Sequence, residues 1–285
     1  MTGEPILRAE ELVFSYPDGT RALNGISLSV PRGKKTAFLG PNGAGKTTLF
    51  LHFNGLLRPQ SGCVYWSGRR VRYDRSSLMT LRQNVGVVFQ DPDTQLFSAN
   101  VRQEISFGPC NLGWPAAKVQ EQVDRAMAAV DILHLQDKPT HFLSLGQKKR
   151  VAIAAVLAMQ PRVLVCDEPT AWLDAAHAAA MMDLLDRQTR DGVTVIFSTH
   201  DVDLAYSRAD YVFVMKDGKL AGEGHPADIF LNDGLLARAD LAQPQLVEIY
   251  RDLVEKGWLP PGRPPRTKQE LLERIPPRGG RRCSK

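Results

Sequence analysis

Apolar and polar positions along the 285 residues fall into short blocks whose period changes several times. Residues 5–35 read as two strands, ILRAEELVFSY and ALNGISLSV, joined by the turn sequence PDGT. Turn chemistry between β-prone runs predicts an antiparallel hairpin. KTAFL is a further apolar strand, followed by a glycine-rich break and a helix-forming run that stops at Asn54-Gly55. GCVYWSG and GVVF read as strands as well. From Asp91 to Met159 the pattern turns helical: AAKVQEQVDRAMAAVDIL repeats apolar residues at helical spacing, with Pro109 and Pro115 expected to break segments. RVLVCDEP is then an apolar strand closed by acids. The helix AAHAAAMMDLLDRQ, the strand VTVIFSTH, the helix DVDLAYSRA and the strand YVFVMKDGKL follow. Strands alternating with helices predict an α/β fold with a parallel sheet, and ligands bind at the carboxyl ends of such strands. Gln90, Asp167 and His200 each fall at one of those ends.

The glycine-rich break carries the first chemistry. Gly40, Gly45, Lys46 and Thr47 complete the pattern G-x-x-x-x-G-K-T between a strand and a helix, with Pro41, Asn42, Gly43 and Ala44 inside it and Thr48 after it. Glycines let the backbone turn its N–H groups inward, so the loop becomes an anion-binding nest at a helix N-terminus. The Lys46 ammonium can reach terminal phosphates and the Thr47 hydroxyl can ligate Mg²⁺. The stretch predicts a phosphate loop for a nucleoside triphosphate.

Asp167 and Glu168 close the apolar strand Val163–Cys166. An acid at that place can hold Mg²⁺ and its neighbour can orient an attacking water. Paired acids at a strand end are common on surfaces; the phosphate loop in the same chain is what favours the catalytic reading. Gln90 and His200 are lone polar tips past their strands, suited to a place near Mg²⁺ and near the terminal phosphate respectively.

Composition narrows the class. With 43% hydrophobic and 24% charged residues the chain is an ordinary globular one, long enough for one large or two modest domains. No apolar run approaches the ~18 residues of a spanning helix, and no basic-then-apolar segment opens the chain, so a cytoplasmic protein is expected. Cys63, Cys110, Cys166 and Cys283 form no C-x-x-C pair, which suits a reducing compartment and argues against zinc. The net charge of +5 is concentrated in the tail: Arg263 onward holds eight basic and two acidic residues, leaving the body close to neutral. Nucleic-acid binding by the body is therefore not expected.

The run LSLGQKKRVAIAAVLAMQPRVLVCDEPTAWLD, added to the motifs above, resembles the nucleotide-binding subunit of ATP-binding-cassette transporters over about residues 5–225. In that resemblance Tyr16 stands where an aromatic stacks on adenine, Gly40 to Thr48 match Walker A, and Gln90 is the Q-loop residue. Leu143 to Gln147 match the signature motif, and Val163 to Asp167 match Walker B. Glu168 is the catalytic glutamate, Ala171 to Asp174 form the D-loop and His200 is the switch histidine. The resemblance implies a P-loop NTPase fold with a RecA-like core, an antiparallel β subdomain, a helical subdomain at about 91–160 and a short C-terminal helical extension. It also implies ATP and Mg²⁺ as cofactors, with Mg²⁺ held by Thr47, Gln90 and Asp167. Two copies would form a homodimer in which Ser144, Gly146 and Gln147 of one chain face the ATP on the Walker A of the other. Leu145 departs from the usual L-S-G-G-Q, and Trp172 is bulky for a D-loop. The helix after the signature is expected to start at Gln147.

The stretch FQDPDTQLFSANVRQEISFGPCNLG is similar to the Q-loop region of energy-coupling-factor importers. GQKKRVAIAAVLAM and ADLAQPQLVEIYRDLVEKGW resemble the cobalt branch of that group, which nickel and vitamin relatives resemble closely. This implies an integral-membrane coupling subunit and a substrate-binding subunit as partners, with this chain peripheral at the cytoplasmic face of the cell membrane. Two other classes compete: a soluble cassette ATPase outside transport, which would normally show two cassettes or a long coiled coil, and an exporter ATPase, which differs mainly in the loop after Gln90. The six histidines form no pair at metal-ligand spacing, so a transported metal would be bound by a partner. Within residues 226–285, the part 226–258 is expected to form a small helical extension at the dimer contact, bearing Leu235, Leu236, Leu246, Val247, Ile249, Tyr250 and Leu253, followed by a flexible basic tail. GRPPR and the residues after it read either as solvated chain with no task or as a +6 segment that meets anionic lipid at the membrane face, and in both cases as dispensable for hydrolysis by the isolated subunit.

Overall fold

The computed structural model describes residues 4–275. The chain runs through β1 (Leu7–Ser15), β2 (Arg21–Val30), β3 (Lys35–Leu39), α1 (Lys46–Phe53), β4 (Ser61–Trp66), β5 (Arg69–Arg70), α2 (Arg75–Asn84) and β6 (Val85–Val88). It continues through α3 (Val101–Asn111), α4 (Ala116–Ala129), α5 (Leu145–Leu157), β7 (Val163–Cys166), α6 (Ala175–Arg190), β8 (Thr194–Thr199), α7 (Val202–Arg208), β9 (Tyr211–Lys216) and β10 (Lys219–Gly224). Four short helices close it: α8 (Pro226–Phe230), α9 (Asp233–Ala239), α10 (Gln245–Glu255) and α11 (Lys268–Arg274).

Two sheets result. One is a four-stranded antiparallel sheet in the order β2-β1-β4-β5. The other has six strands in the order β10-β9-β3-β8-β7-β6; all its pairs are parallel except β9 with β10. Strand side chains alternate between faces, and both faces of the larger sheet are covered. Ala37, Leu39, Leu164, Cys166, Val195, Phe197, Val212 and Val214 enter a core shared with α3, α4, α5 and α6. Their chain neighbours Phe38, Val163, Val165, Ile196, Phe213 and Met215 enter a second core with α1 and the antiparallel sheet. Burial on both faces is why these strands read as unbroken apolar runs rather than alternating ones.

Several expectations change. YVFVMKDGKL is a hairpin of two strands, turned at Asp217-Gly218, where both residues have positive φ. Pro109 does not break a segment: it lies within the last turn of α3, and the helix runs on through it to Asn111 although the proline supplies no N–H to the Ile105 carbonyl. Pro115 does stand at the N-cap of α4. α5 starts at Leu145 rather than Gln147, because the Ser144 side chain accepts from the Gln147 N–H while the Gln147 side chain accepts from the Ser144 N–H. The C-terminal helices are not peripheral. Ala227, Ile229, Phe230, Leu235, Leu236, Ala239 and Val247 complete the first core. GRPPR is packed as well: Pro264 and Pro265 are buried, and Tyr250, Leu259 and Leu271 form a small cluster beside it. The expected flexible tail therefore fails for 262–275, and its last part, 276–285, lies outside the described residues. Among the described residues no helix is long and apolar enough to cross a membrane.

Candidate active site

β3, β8, β7 and β6 run parallel, so their carboxyl ends share one rim, and the phosphate loop leaves from β3 on that rim. The loop needs its glycines for packing. Gly45 caps α1 with φ of 96°, and a Cβ there would stand 2.4 Å from the Ala22 carbonyl oxygen. A Cβ at Gly40 would meet the Met215 carbonyl oxygen at 2.1 Å. Both distances exclude any side chain. Lys46 is buried and donates to the carbonyls of Gly40 at 2.6 Å and Pro41 at 3.1 Å. Burial lowers its pKa, against the opposing charges of Glu168 and Asp167. An ammonium has three donors, so one remains for an anion above the loop. Tyr16 is tied to the same loop, its hydroxyl 3.0 Å from the Thr48 hydroxyl.

One chain of hydrogen bonds crosses the rim. The Thr47 hydroxyl donates to Asp167 Oδ2 at 2.5 Å, and the Ser198 hydroxyl donates to Asp167 Oδ1 at 2.5 Å. Ser198 Oγ in turn accepts from the Glu168 N–H at 2.8 Å. His200 Nδ1 lies 3.3 Å from the Glu168 carboxylate, with most of its ring in solvent. Glu168 itself has φ of 44°, a left-handed conformation that costs a non-glycine residue roughly 1–2 kcal/mol. Its N–H bond to Ser198 and two further contacts hold it there: Lys149, buried on α5, donates to the carbonyls of Glu168 and Pro169, each at 3.1 Å. Gln90, Asn42, Glu168, Trp172 and His200 line a cavity of about 740 Å³ on the same rim. Thus Tyr16, the phosphate loop, Gln90, Asp167, Glu168 and His200 are brought together. Ser144, Gly146 and Gln147 do not line this cavity; a Cβ at Gly146 would lie 3.6 Å from His177 and 3.7 Å from Leu173.

The donor set suits Mg²⁺. A hydroxyl and a carboxylate meet at Thr47 and Asp167, both oxygen ligands, and Gln90 supplies a further oxygen on the rim. Mg²⁺ is usually held by one or two protein oxygens together with substrate phosphates, not by an all-protein cage. The described residues contain no group of three or more His, Cys, Asp or Glu placed to hold a metal.

A family model for the ABC transporter matches residues 23–171. The energy-coupling factor transporter ATP-binding protein EcfA of Methanocaldococcus jannaschii is 48% identical over 90% of this chain and 91% of its own length. The chain belongs to the ABC transporter family. It is thus an ATP-binding cassette, an ATPase with Mg²⁺ as its metal. A Methanosarcina mazei relative named for ABC transporter ATP binding is 46% identical over 95% of the cassette, which spans only 60% of that longer protein. Among solved structures, cbiO1 of Clostridium perfringens, described as part of the ABC transporter complex cbiONQ, superposes with a TM-score of 0.75 at 46% identity. That match covers 87% of this chain and all of the other.

Ser198, Lys149 and Gln95 were not singled out from the sequence. Ser198 sits in an apolar strand whose period gives no hint of its partner, since the bond to Asp167 joins residues 31 apart. Lys149 follows another lysine at the start of a helix and looks solvated, yet its stem is buried and its ammonium reaches the strand-end carbonyls. Gln95 accepts from the Phe89 N–H and donates to the Val87 carbonyl, fixing the backbone that delivers Gln90. Trp172 has φ of 62°, and the Lys149 ammonium stands 5.8 Å from its ring centre, a cation–π contact that ties the D-loop to α5.

Proposed function

We propose that this chain is the ATP-hydrolysing subunit powering import of a transition-metal ion, cobalt first among them, through membrane partner subunits. The hydrogen-bonded chain Thr47–Asp167–Ser198–Glu168–His200 carries the hydrolytic half of that reading. Lys46 and the loop N–H groups hold the phosphates, and Tyr16 stacks on the adenine. Thr47, Asp167 and Gln90 would hold Mg²⁺, which would supply neutralisation of phosphate charge. Glu168 orients water for in-line attack, and His200 contacts the terminal phosphate. Ser144, Gly146 and Gln147 open α5, whose N-terminus favours an anion. In the homodimer that the family resemblance implies, they meet the partner's nucleotide; in their own chain they do not line the rim cavity.

The solute half rests on the likeness to cbiO1 and on the cobalt-branch resemblance of GQKKRVAIAAVLAM and the α10 region. The partners are an integral-membrane coupling subunit and a substrate-binding subunit, with this chain peripheral at the cytoplasmic face. The test is a pull-down from solubilised membranes followed by metal uptake in cells with and without the gene. Integral-membrane proteins in the pull-down and cobalt accumulation lost with Lys46→Ala support the proposal. Accumulation of nickel or a vitamin instead reassigns the solute, and recovery of ribosomes or DNA moves the chain to the non-transport class.

A further inference from the structure

The side chain of His200 is mostly in solvent and touches only Glu168 among its hydrogen-bonding partners. Its place is therefore set by the backbone on either side: Thr199, the last residue of β8, and Asp201, the N-cap of α7. The Asp201 N–H donates to Thr199 Oγ1 and the Asp201 carboxylate accepts from the Leu204 N–H, so His200 and α7 form one rigid corner. α7 is only seven residues long, and a helix of two turns has little stability of its own.

The C-terminal extension grips α7 at both ends. At its start, Asp203 Oδ1 accepts from the Gln245 N–H, the first residue of α10, at 2.8 Å. At its end, the last carbonyls of a helix have no intrahelical donors, and one guanidinium serves three of them. Arg266 donates from Nε to the Tyr206 carbonyl at 3.1 Å, and from Nη2 to those of Ser207, at 3.2 Å, and Ala209. The phenol of Tyr206, itself buried, donates to the Pro264 carbonyl at 3.0 Å. Arg266 is held in turn by Glu270, which accepts from its N–H at 2.7 Å. Buried Pro264 and Pro265, with their fixed φ, press this segment against the core. Residues 243–266 thus make a strap across the helix that follows His200.

We infer that this strap, through Arg266, is a positioning device for His200: the C-terminal extension holds α7, and α7 aims the histidine at the terminal phosphate. The inference rests on the role proposed above for His200. It replaces the expectation that the chain from Arg263 onward is dispensable for hydrolysis. The hydrogen bonds of the strap share no partner with those of Tyr16 and Lys46, so it acts on turnover and not on nucleotide capture.

The test is steady-state hydrolysis of MgATP by the full chain and by Arg266→Ala, Arg266→Lys, His200→Ala and the double variant His200→Ala/Arg266→Ala, with nucleotide affinity measured by titration. A small misplacement of a phosphate-facing group costs up to ~100-fold in rate, so Arg266→Ala is expected to lower kcat by about tenfold while KM and ATP affinity stay within about twofold. Arg266→Lys, which keeps the charge but not the fork, should recover part of the loss and guards against a truncation that fails to fold. On the His200→Ala background, Arg266→Ala should remove nothing further, since residues acting as one unit are non-additive. Unchanged kcat in Arg266→Ala beside a crippled His200→Ala overturns the strap and leaves the site reading standing. An equal loss on both backgrounds, or a loss in ATP affinity instead of kcat, overturns the route through His200. Parent-like turnover in His200→Ala is a failure of the site reading itself, and the strap falls with it.

Discussion

Ser198→Ala removes one oxygen from a fully buried strand and strands two groups that matter to the site. The Glu168 N–H loses its acceptor at 2.8 Å, and Asp167 Oδ1 loses a donor at 2.5 Å. Both residues are themselves buried, so water replaces the hydroxyl poorly. A neutral bond of this kind contributes about 1 kcal/mol and one to a carboxylate about 1.5–3 kcal/mol. The sum is about 2.5–4 kcal/mol, and losing so small a volume adds no significant cavity term. At about 2–4 °C of melting temperature per kcal/mol for a domain of this size, the midpoint should fall by about 5–15 °C. Turnover should fall too, by about tenfold or more, because Asp167 is left with Thr47 alone to orient it. Thermal unfolding followed by circular dichroism, with MgATP hydrolysis on the same preparation, reads both. A midpoint within about 1 °C of the parent, with parent turnover, would show that the serine is not the link between the two acids.

Three further outcomes are expected. Lys46→Ala should weaken ATP binding itself, measured by titration, since the point charge facing the phosphates is lost; parent-like affinity would mean the loop is misread. Leu145→Gly changes the first residue of α5 while Ser144 and Gln147 keep the capping box, so the helix loses at most ~1 kcal/mol and hydrolysis should change less than about tenfold. Burial pushes the Cys166 thiol from 9.0 up to about 12, so alkylation at pH 8 followed by mass spectrometry should label exposed Cys110 and spare Cys166 until the chain is unfolded. The native state keeps that proton between pH 9 and 12 where the unfolded chain releases it, so Cys166 contributes stability that is lost as pH rises through that window.

The legible parts of the site were those written in contiguous residues. Gly40 to Thr47 need no tertiary partner to be read, because spacing alone makes the nest, and Asp167 and Glu168 announce themselves by ending an apolar run. The parallel sheet was legible because strands buried on both faces read as unbroken apolar blocks. α2 was missed: RSSLMTLRQN buries only Leu81, and its start is set by the Asp74 side chain accepting from the Ser77 N–H. The start of α5 was misplaced by two residues because a reciprocal cap, not hydrophobic period, decides it. The C-terminal segment misled most. Its composition is that of solvated chain, yet Arg266 finds three carbonyls on α7 and Leu271 a small cluster with Tyr250. Composition reports what a segment can bury alone, and these residues are ordered by what the rest of the chain offers them.

The central claim is that Glu168, in its left-handed corner between Ser198, Lys149 and His200, orients the water that attacks ATP. Glu168→Gln keeps size and hydrogen bonding while removing the charge, so MgATP binding and turnover can be measured side by side on parent and variant. The account predicts unchanged nucleotide affinity, hydrolysis lower by a factor on the order of 10² or more, and accumulation of an ATP-bound dimer by light scattering. Near-parent hydrolysis by Glu168→Gln would contradict it.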